Sequence, residues 1–386
     1  MVAHADLIQT VGQAVDGIDR LLPRGMRWPS GDFFDGRRRT DDLSLHAAGD
    51  RLEQHQRRPA RIMRASRQRQ WNNRVESVMN REFFSSGIGR WCLATMLVIA
   101  GLGPVQARDI GSFENVTAVQ EQLVVNGRPR SVMMLKPTVP TTTERVPAIL
   151  LLEYLRGTPV DMADLTEASA LVRDFGVYVI LPASSNGRWN YGATSFALTQ
   201  DDVGFLTAVI DDAVRRFPID ARRIYMGGYS NGAQMTQRYI CDQPSRIAAG
   251  AVISGSIHHD DRLRCAAAVP TPMIIFHGTA DEQINFNGNL LFSSSLQTAE
   301  LWASRAGCSL VPQNLGVIDG TDDGTSVQLN RYGNCSGGAR VDHYIIAGGG
   351  HTWPGSLSFA TPLGLTTQDV AATPTMWQFF RQFARP

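Results

Sequence analysis

The sequence predicts an α/β fold, a mostly parallel sheet with helices on both faces. Three observations carry this. Short apolar runs alternate with helical segments from about residue 146 to the end. The connections between them are short, as compact α/β units require. One apolar run, Arg223–Met226, passes through a glycine-rich turn straight into a helical stretch. The elements justify themselves in order. Thr117–Val125 and Ser131–Leu135 flank Asn126-Gly127, and Asn-Gly favours a hairpin because both residues tolerate positive φ. Val146–Leu152 is a continuous apolar run of strand length. Met162–Asp174 reads as a helix and Val177–Leu181 as the next strand. Between 200 and 217, Val203, Leu206, Val209, Ile210, Ala213 and Phe217 fall on one helical face. Arg223–Met226 reads as a strand, Asn231–Cys241 as a helix, and Ala248–Ile253 and Met273–Phe276 as strands. Leu296–Ala306 reads as a helix and Val341–Ile346 as a strand. Pro374–Ala384 closes the chain as a helix, with Pro in the first turn, where its missing N–H leaves no bond unmade. Ligands of such sheets bind beyond the carboxyl ends of the strands.

Composition narrows the function classes. The 386 residues carry 37 basic and 36 acidic side chains, and 43% of residues are hydrophobic. That supplies a sizeable core and excludes a disordered chain. A net charge of +1 argues against nucleic acid as the main partner, since phosphate neutralisation needs a basic excess. No apolar run reaches the roughly 20 residues of a membrane-spanning helix. The charge is uneven: residues 1–78 hold 14 Arg against 10 acidic residues.

Residues 79–107 read as an export signal. Arg90 precedes an apolar core, Trp91 to Gly103, and Pro104-Val105-Gln106-Ala107 supplies a small-residue cleavage site. Such signals stand at N-termini, and Met79 stands just before this one. The expectation is a start at Met79, with 1–78 as upstream reading or a cleaved leader. The rival is a basic tail for an acidic partner. The mature domain is then 108–386, secreted to an extracellular or periplasmic space. Cysteine usage agrees. Beyond Cys92, in the signal core, Cys241, Cys265, Cys308 and Cys335 remain. An even set in an exported protein suggests two disulfides, with three pairings open. No Cys/His cluster has metal spacing, so no metal is expected.

Gly228-Tyr229-Ser230-Asn231-Gly232 is a G-x-S-x-G motif between a strand and a helix. A sharp turn there lifts the Ser230 hydroxyl above the sheet and aims the Asn231 N–H at a developing oxyanion. The bland alternative is an ordinary glycine-rich turn. A serine hydroxyl needs a base, and the base an orienting acid, in the chain order Ser, Asp or Glu, His. Asp281, in the loop after Met273–Phe276, is the favoured acid over Glu282, Asp260 and Asp261. His351 follows Val341–Ile346 in a loop opened by Gly348-Gly349-Gly350, whose glycines let it bend freely. His277 reads as structural, His343 falls inside a strand, and His258-His259-Asp260 lacks further metal ligands. Trp189 and Trp353 are candidate walls of a substrate pocket, with core packing as the alternative.

With these motifs the chain resembles the secreted polyhydroxybutyrate depolymerase family of esterases, which includes feruloyl and acetylxylan esterases. The carrying segments are Arg188-Trp189-Asn190-Tyr191-Gly192, Asp201-Asp202-Val203-Gly204-Phe205, Gly228 to Gly232, His277-Gly278-Thr279-Ala280-Asp281 and Gly349-Gly350-His351-Thr352-Trp353-Pro354-Gly355. They span roughly Phe113 to Phe383. The resemblance implies an α/β-hydrolase fold and a triad of Ser230, Asp281 and His351 that needs no cofactor. It also implies disulfides Cys308–Cys335 and Cys241–Cys265. The substrate it implies is an ester, either an oligomeric hydroxyalkanoate or a plant-wall ester. One departure stands out. The family has Leu-His-Gly after its early strand, where a second oxyanion N–H arises. Here Leu152 is followed by Glu153, Tyr154 and Leu155. Tyr154 or Leu155 is expected to supply that N–H, and Arg156 to pair with Glu153. An unpaired anion there would oppose the oxyanion, which motivates a rival class, a non-catalytic hydrolase-like binding protein. The sequence leaves the oligomeric state open.

Overall fold

The computed structural model describes residues 108–113, 115–139, 142–192, 198–265, 269–356 and 362–386. The basic segment 1–78 and the export signal 79–107 lie outside the described residues. The strands are β1 (Arg108–Phe113), β2 (Val116–Val125), β3 (Arg128–Pro137), β4 (Val146–Leu152), β5 (Tyr178–Pro182), β6 (Ile219–Tyr229), β7 (Ala249–Ile253), β8 (Met273–Gly278), β9 (Gln313–Ile318), β10 (Ser326–Tyr332) and β11 (Val341–Ala347). The helices are α1 (Pro159–Leu165), α2 (Ala168–Phe175), α3 (Asp202–Arg216), α4 (Asn231–Asp242), α5 (His259–Arg264), α6 (Ser295–Arg305) and α7 (Ala372–Phe380).

All strands join one sheet in the order β1-β2-β3-β5-β4-β6-β7-β8-β11-β10-β9. From β5 to β11 every pairing is parallel. Antiparallel strands extend the sheet at both sides. The centre is therefore the parallel sheet that the strand–helix alternation predicts, and the hairpin β2–β3 turns at Asn126-Gly127, both at positive φ. Successive residues of a strand face opposite sides, and the core divides accordingly. Leu150, Leu152 and Met226 pack with Phe205, Tyr239 and Trp302 under α3, α4 and α6. Ile149, Leu151 and Tyr225 pack with Met162, Leu171 and Phe380 under α1, α2 and α7.

The structure departs from the sequence pattern in four places. The expected helix Met162–Asp174 is two helices, because Thr166 closes α1 and Glu167 takes a φ of 47°. β6 is far longer than Arg223–Met226, beginning at Ile219 and running through both glycines to Tyr229. β1, α5, β9 and β10 were not foreseen. The closing helix begins at Ala372 with Pro374 inside its first turn, and stops at Phe380.

Candidate active site

β6 ends at Tyr229 and α4 starts at Asn231, which leaves Ser230 alone at the apex. Its φ of 54° and ψ of −116° lie where residues with a Cβ rarely go, at a cost of order 1–3 kcal/mol. The neighbours hold it there. Its N–H donates to the Ile253 carbonyl (3.0 Å) and its carbonyl accepts from Gln234 N–H (3.1 Å). The flanking glycines serve close approach. A Cβ on Gly228 would overlap the Gly232 backbone, and one on Gly232 would overlap the carbonyl oxygens of Leu152 and Glu153. The elbow thus packs directly against the end of β4.

Asp281 follows β8, two strands along from β6. Its Oδ1 accepts the N–H groups of Gln283 and Ile284, each at 2.9 Å. Its Oδ2 lies 2.8 Å from His351 Nδ1 and 3.3 Å from His277 Nε2. Burial raises the carboxyl, but the two imidazoles outweigh burial and hold it well below the usual carboxylate range. Glu282 is exposed, and Asp261 lies 3.8 Å from Arg238 and 3.9 Å from Arg264. His258 Nδ1 accepts the Asp260 N–H at 3.2 Å, and no metal-binding group of His, Cys, Asp or Glu occurs among the described residues.

His351 follows β11, next to β8. Its loop is firmly held rather than free to bend. Ala280 N–H donates to Gly349 O (2.9 Å), Gly350 N–H to Leu365 O (2.9 Å) and His351 N–H to Leu363 O (2.6 Å). No hydrogen bond joins Ser230 Oγ to the His351 ring. Tyr229 links the two arms instead. Its hydroxyl donates to the His351 carbonyl at 2.5 Å, and its ring centre lies 5.2 Å from the imidazole. Catalytic hydrogen bonds are often long without substrate and tighten when it binds.

The loop after β4 turns over Tyr154 to Gly157. Gly157 N–H donates to Tyr154 O at 2.9 Å, with Arg156 at a φ of 64°. The Arg156 N–H is occupied by the Gly187 carbonyl at 2.7 Å. Among the described residues, the N–H groups of Tyr154, Leu155 and Asn231 donate to no backbone carbonyl. Glu153 does not pair with Arg156. Its side chain is buried, Oε1 accepts the Ser184 N–H at 2.6 Å, and Oε2 has no partner. Desolvation by burial, with the Asp202 charge adding to it, pushes this carboxyl up to about 7 against the pull of the Ser184 N–H and hydroxyl and of its own N–H.

The two tryptophans correct the expectation of pocket walls. Trp189 is 0% exposed, and its indole N–H donates to the Glu153 carbonyl at 3.1 Å. Trp353 is 2% exposed, and its N–H donates to Thr373 Oγ1 at 3.1 Å. Both fill the cores with their polar atoms satisfied inside. The sequence also missed the Asn231 side chain, whose Oδ1 accepts the Trp189 backbone N–H at 2.8 Å. His277, four residues before Asp281, touches the acid directly, and that spacing was its available signal. Disulfides join Cys241 to Cys265 and Cys308 to Cys335. Two surface concavities, of about 190 and 430 Å³, lie against α3 and include none of Ser230, Asp281 or His351.

The phospholipase/carboxylesterase family profile matches residues 193–305, a stretch that holds Ser230 and Asp281 but not His351. Feruloyl esterase B of Piromyces equi is 29% identical over 42% of this chain and 31% of its own length. The chain thus spans about a third of that relative. The putative esterase NocK of Nocardia uniformis is 24% identical over 69% of this chain and 84% of its own. Acetylxylan esterase A of Emericella nidulans is 26% identical over 53% of this chain and 66% of its own. The fold is that of an α/β-hydrolase, and these matches support an esterase of that type. Among the described residues no helix is long and apolar enough to cross a membrane.

Proposed function

We propose that the protein is an exported serine esterase that hydrolyses carboxylic esters through an acyl-enzyme. The observation that carries this is Ser230 at a strained strand-to-helix apex, with the 2.8 Å Asp281–His351 pair mounted on nearby strand ends. In this reading His351 takes the Ser230 proton as Oγ attacks the ester carbonyl. Asp281 holds the imidazole with Nδ1 protonated, so that Nε2 is the base, and stabilises the imidazolium that forms. The Asn231 N–H, helped by the positive end of α4, and the N–H of Tyr154 or Leu155 receive the oxyanion. The imidazolium then protonates the leaving alcohol, and water repeats the sequence to release the acid. No metal or organic cofactor takes part.

Two substrate readings divide the field. The motifs resemble polyhydroxybutyrate depolymerases, which points to oligomeric hydroxyalkanoates. The relatives named feruloyl and acetylxylan esterase point to plant-wall esters. The burial of Trp189 and Trp353 withdraws the aromatic-wall argument from both. The test is turnover of p-nitrophenyl acetate, methyl ferulate, acetylated xylan and a 3-hydroxybutyrate oligomer by 108–386 made in an oxidising compartment. Ser230→Ala is the control. Activity lost in that variant supports the esterase, and the ranking of substrates selects its class. A folded wild type that neither turns over any ester nor reacts with a fluorophosphonate at Ser230 would instead support the binding-protein reading. The two disulfides suit export, and N-terminal sequencing of secreted protein that finds Arg108 or Asp109 first supports cleavage after Ala107.

A further inference from the structure

The loop after β4 carries an acid where the resembled family carries histidine, and among the described residues no ion pair neutralises it. Among the described residues no Lys or Arg side chain reaches salt-bridge distance of Glu153. The charged groups around it are accounted for. Asp202, at the start of α3, adds negative potential. Arg130, from β3, is engaged with Asp202 at 2.8 Å and with the Ala183 carbonyl at 2.9 Å. Arg156, on the adjoining loop, is not within ion-pair distance of it. Tyr154 follows it as a neutral phenol, raised by burial. The N-terminal end of α4 contributes only its partial positive charge. Glu153 is 1% exposed, and no hydrogen bond reaches its Oε2; the Ser184 N–H and hydroxyl and its own N–H favour the ionised form, and burial outweighs them.

We propose that Glu153 works as a neutral carboxylic acid, a positioning residue that braces the oxyanion loop and must stay protonated for ester hydrolysis. The brace is a chain of hydrogen bonds. Glu153 Oε1 holds the Ser184 N–H. The Trp189 indole holds the Glu153 carbonyl. The Asn231 amide holds the Trp189 backbone from both sides, accepting its N–H at 2.8 Å and donating to its carbonyl at 3.4 Å. The path starts at the residue before the second oxyanion donor and ends on the residue that supplies the first. A neutral acid keeps the brace without placing charge beside the site. Ionised, the same side chain sets an uncompensated negative charge against a developing oxyanion, in a medium that screens it poorly.

This rests on the esterase reading, and two measurements separate the failure of one from the failure of the other. The first is the ratio of kcat for Glu153→Gln to kcat for wild type, on p-nitrophenyl acetate between pH 6 and pH 9. Gln keeps the acceptor for Ser184 and cannot ionise. The ratio is expected to rise roughly tenfold across that range, because only the wild type acquires the charge. A merely structural role would shift both pH profiles together, so a flat ratio overturns the proposal. The second needs neither activity nor a folded variant. Native wild type labelled with carbon-13 at its glutamate carboxyls is titrated by NMR. One glutamate titrating near neutrality is expected, and all glutamates titrating in the ordinary range overturns the proposal. Ser230→Ala in the same assay reports separately whether the turnover belongs to this site.

Discussion

Replacing Asp281 by Asn removes a charge and leaves the shape of the side chain intact, and the structure dictates which way the new amide faces. Oδ1 accepts two backbone N–H groups, from Gln283 and Ile284, each at 2.9 Å. An NH2 group there would oppose two donors, so the Asn oxygen stays and its NH2 turns toward the imidazoles. His351 Nδ1, 2.8 Å away, then meets a donor in place of an acceptor. The neutral ring answers by carrying its proton on Nε2, the atom that accepts the Ser230 proton in the proposed mechanism. The expected loss is about 10⁴-fold in kcat, near 5.5 kcal/mol of barrier. The assay is initial rate on p-nitrophenyl acetate at saturation, against the Ser230→Ala baseline, with thermal unfolding to confirm the fold. A folded Asp281→Asn enzyme within tenfold of wild type would refute the reasoning, because imidazole orientation would not depend on this carboxylate. The same variant changes the acid side of stability. The folded carboxyl of Asp281 sits below its unfolded value. Its contribution is therefore full above about pH 4, the unfolded range, and is lost as pH falls through the folded pKa. Stability against pH should fall less steeply below pH 4 in the Asn variant than in wild type.

The remaining expectations are narrower. Tyr229→Phe deletes the hydroxyl that donates to the buried His351 carbonyl, so unfolding in urea should show a loss of about 1–3 kcal/mol. The freed His351 loop should also lower kcat roughly tenfold, and an unchanged kcat would mean the loop is held well enough by Leu363 and Leu365. Trp353→Phe leaves an underfilled core next to Tyr229 and removes the hydrogen bond it donates to Thr373, so stability should drop by about 2 kcal/mol. Its KM for p-nitrophenyl esters should stay within about twofold, and a large rise would restore the indole as a substrate contact. Replacing both Cys308 and Cys335 by Ser opens a loop of sequence separation 27, for which chain entropy gives about 3.5 kcal/mol. Urea midpoints of the oxidised wild type and the double variant measure it.

What the sequence made legible, and what it hid, follows from how each element is stabilised. Strands buried on both faces need apolar residues throughout, so β4 and β7 stood out as runs and their bounds fell within a residue of the expectation. β9 is exposed at every position and is an edge strand paired only with β10. It has no burial pattern to read. The break between α1 and α2 turns on one left-handed residue, Glu167, which lies in an otherwise continuous helical pattern. At the site, the residues in Gly-rich strand-end motifs were visible because their chemistry demands a particular turn. Tyr229 and the Asn231 side chain were not visible, because their partners are backbone groups far along the chain. Trp189 misled for a related reason. A buried indole and a pocket wall share one residue type, and the distinction lies in whether its N–H is met by the protein.

The Trp189 contact also bears on how the proposed oxyanion loop is held with Glu153-Tyr154 in place of His-Gly. A peptide unit is rigid and trans, so its C=O and N–H point in opposite directions. The indole that holds the Glu153 carbonyl therefore also fixes the direction of the Tyr154 N–H, which shares that plane. A carbonyl free to rotate would carry the donor with it. The donor belongs to the backbone, and its aim depends on what grips the other side of the plane. Glu153 and Tyr154 flank that peptide where the resembled family has His and Gly, and its carbonyl is gripped by Trp189 and, through it, by Asn231. In the proposed esterase the difference then concerns charge, because a buried carboxyl beside an oxyanion is tolerable only when it is neutral.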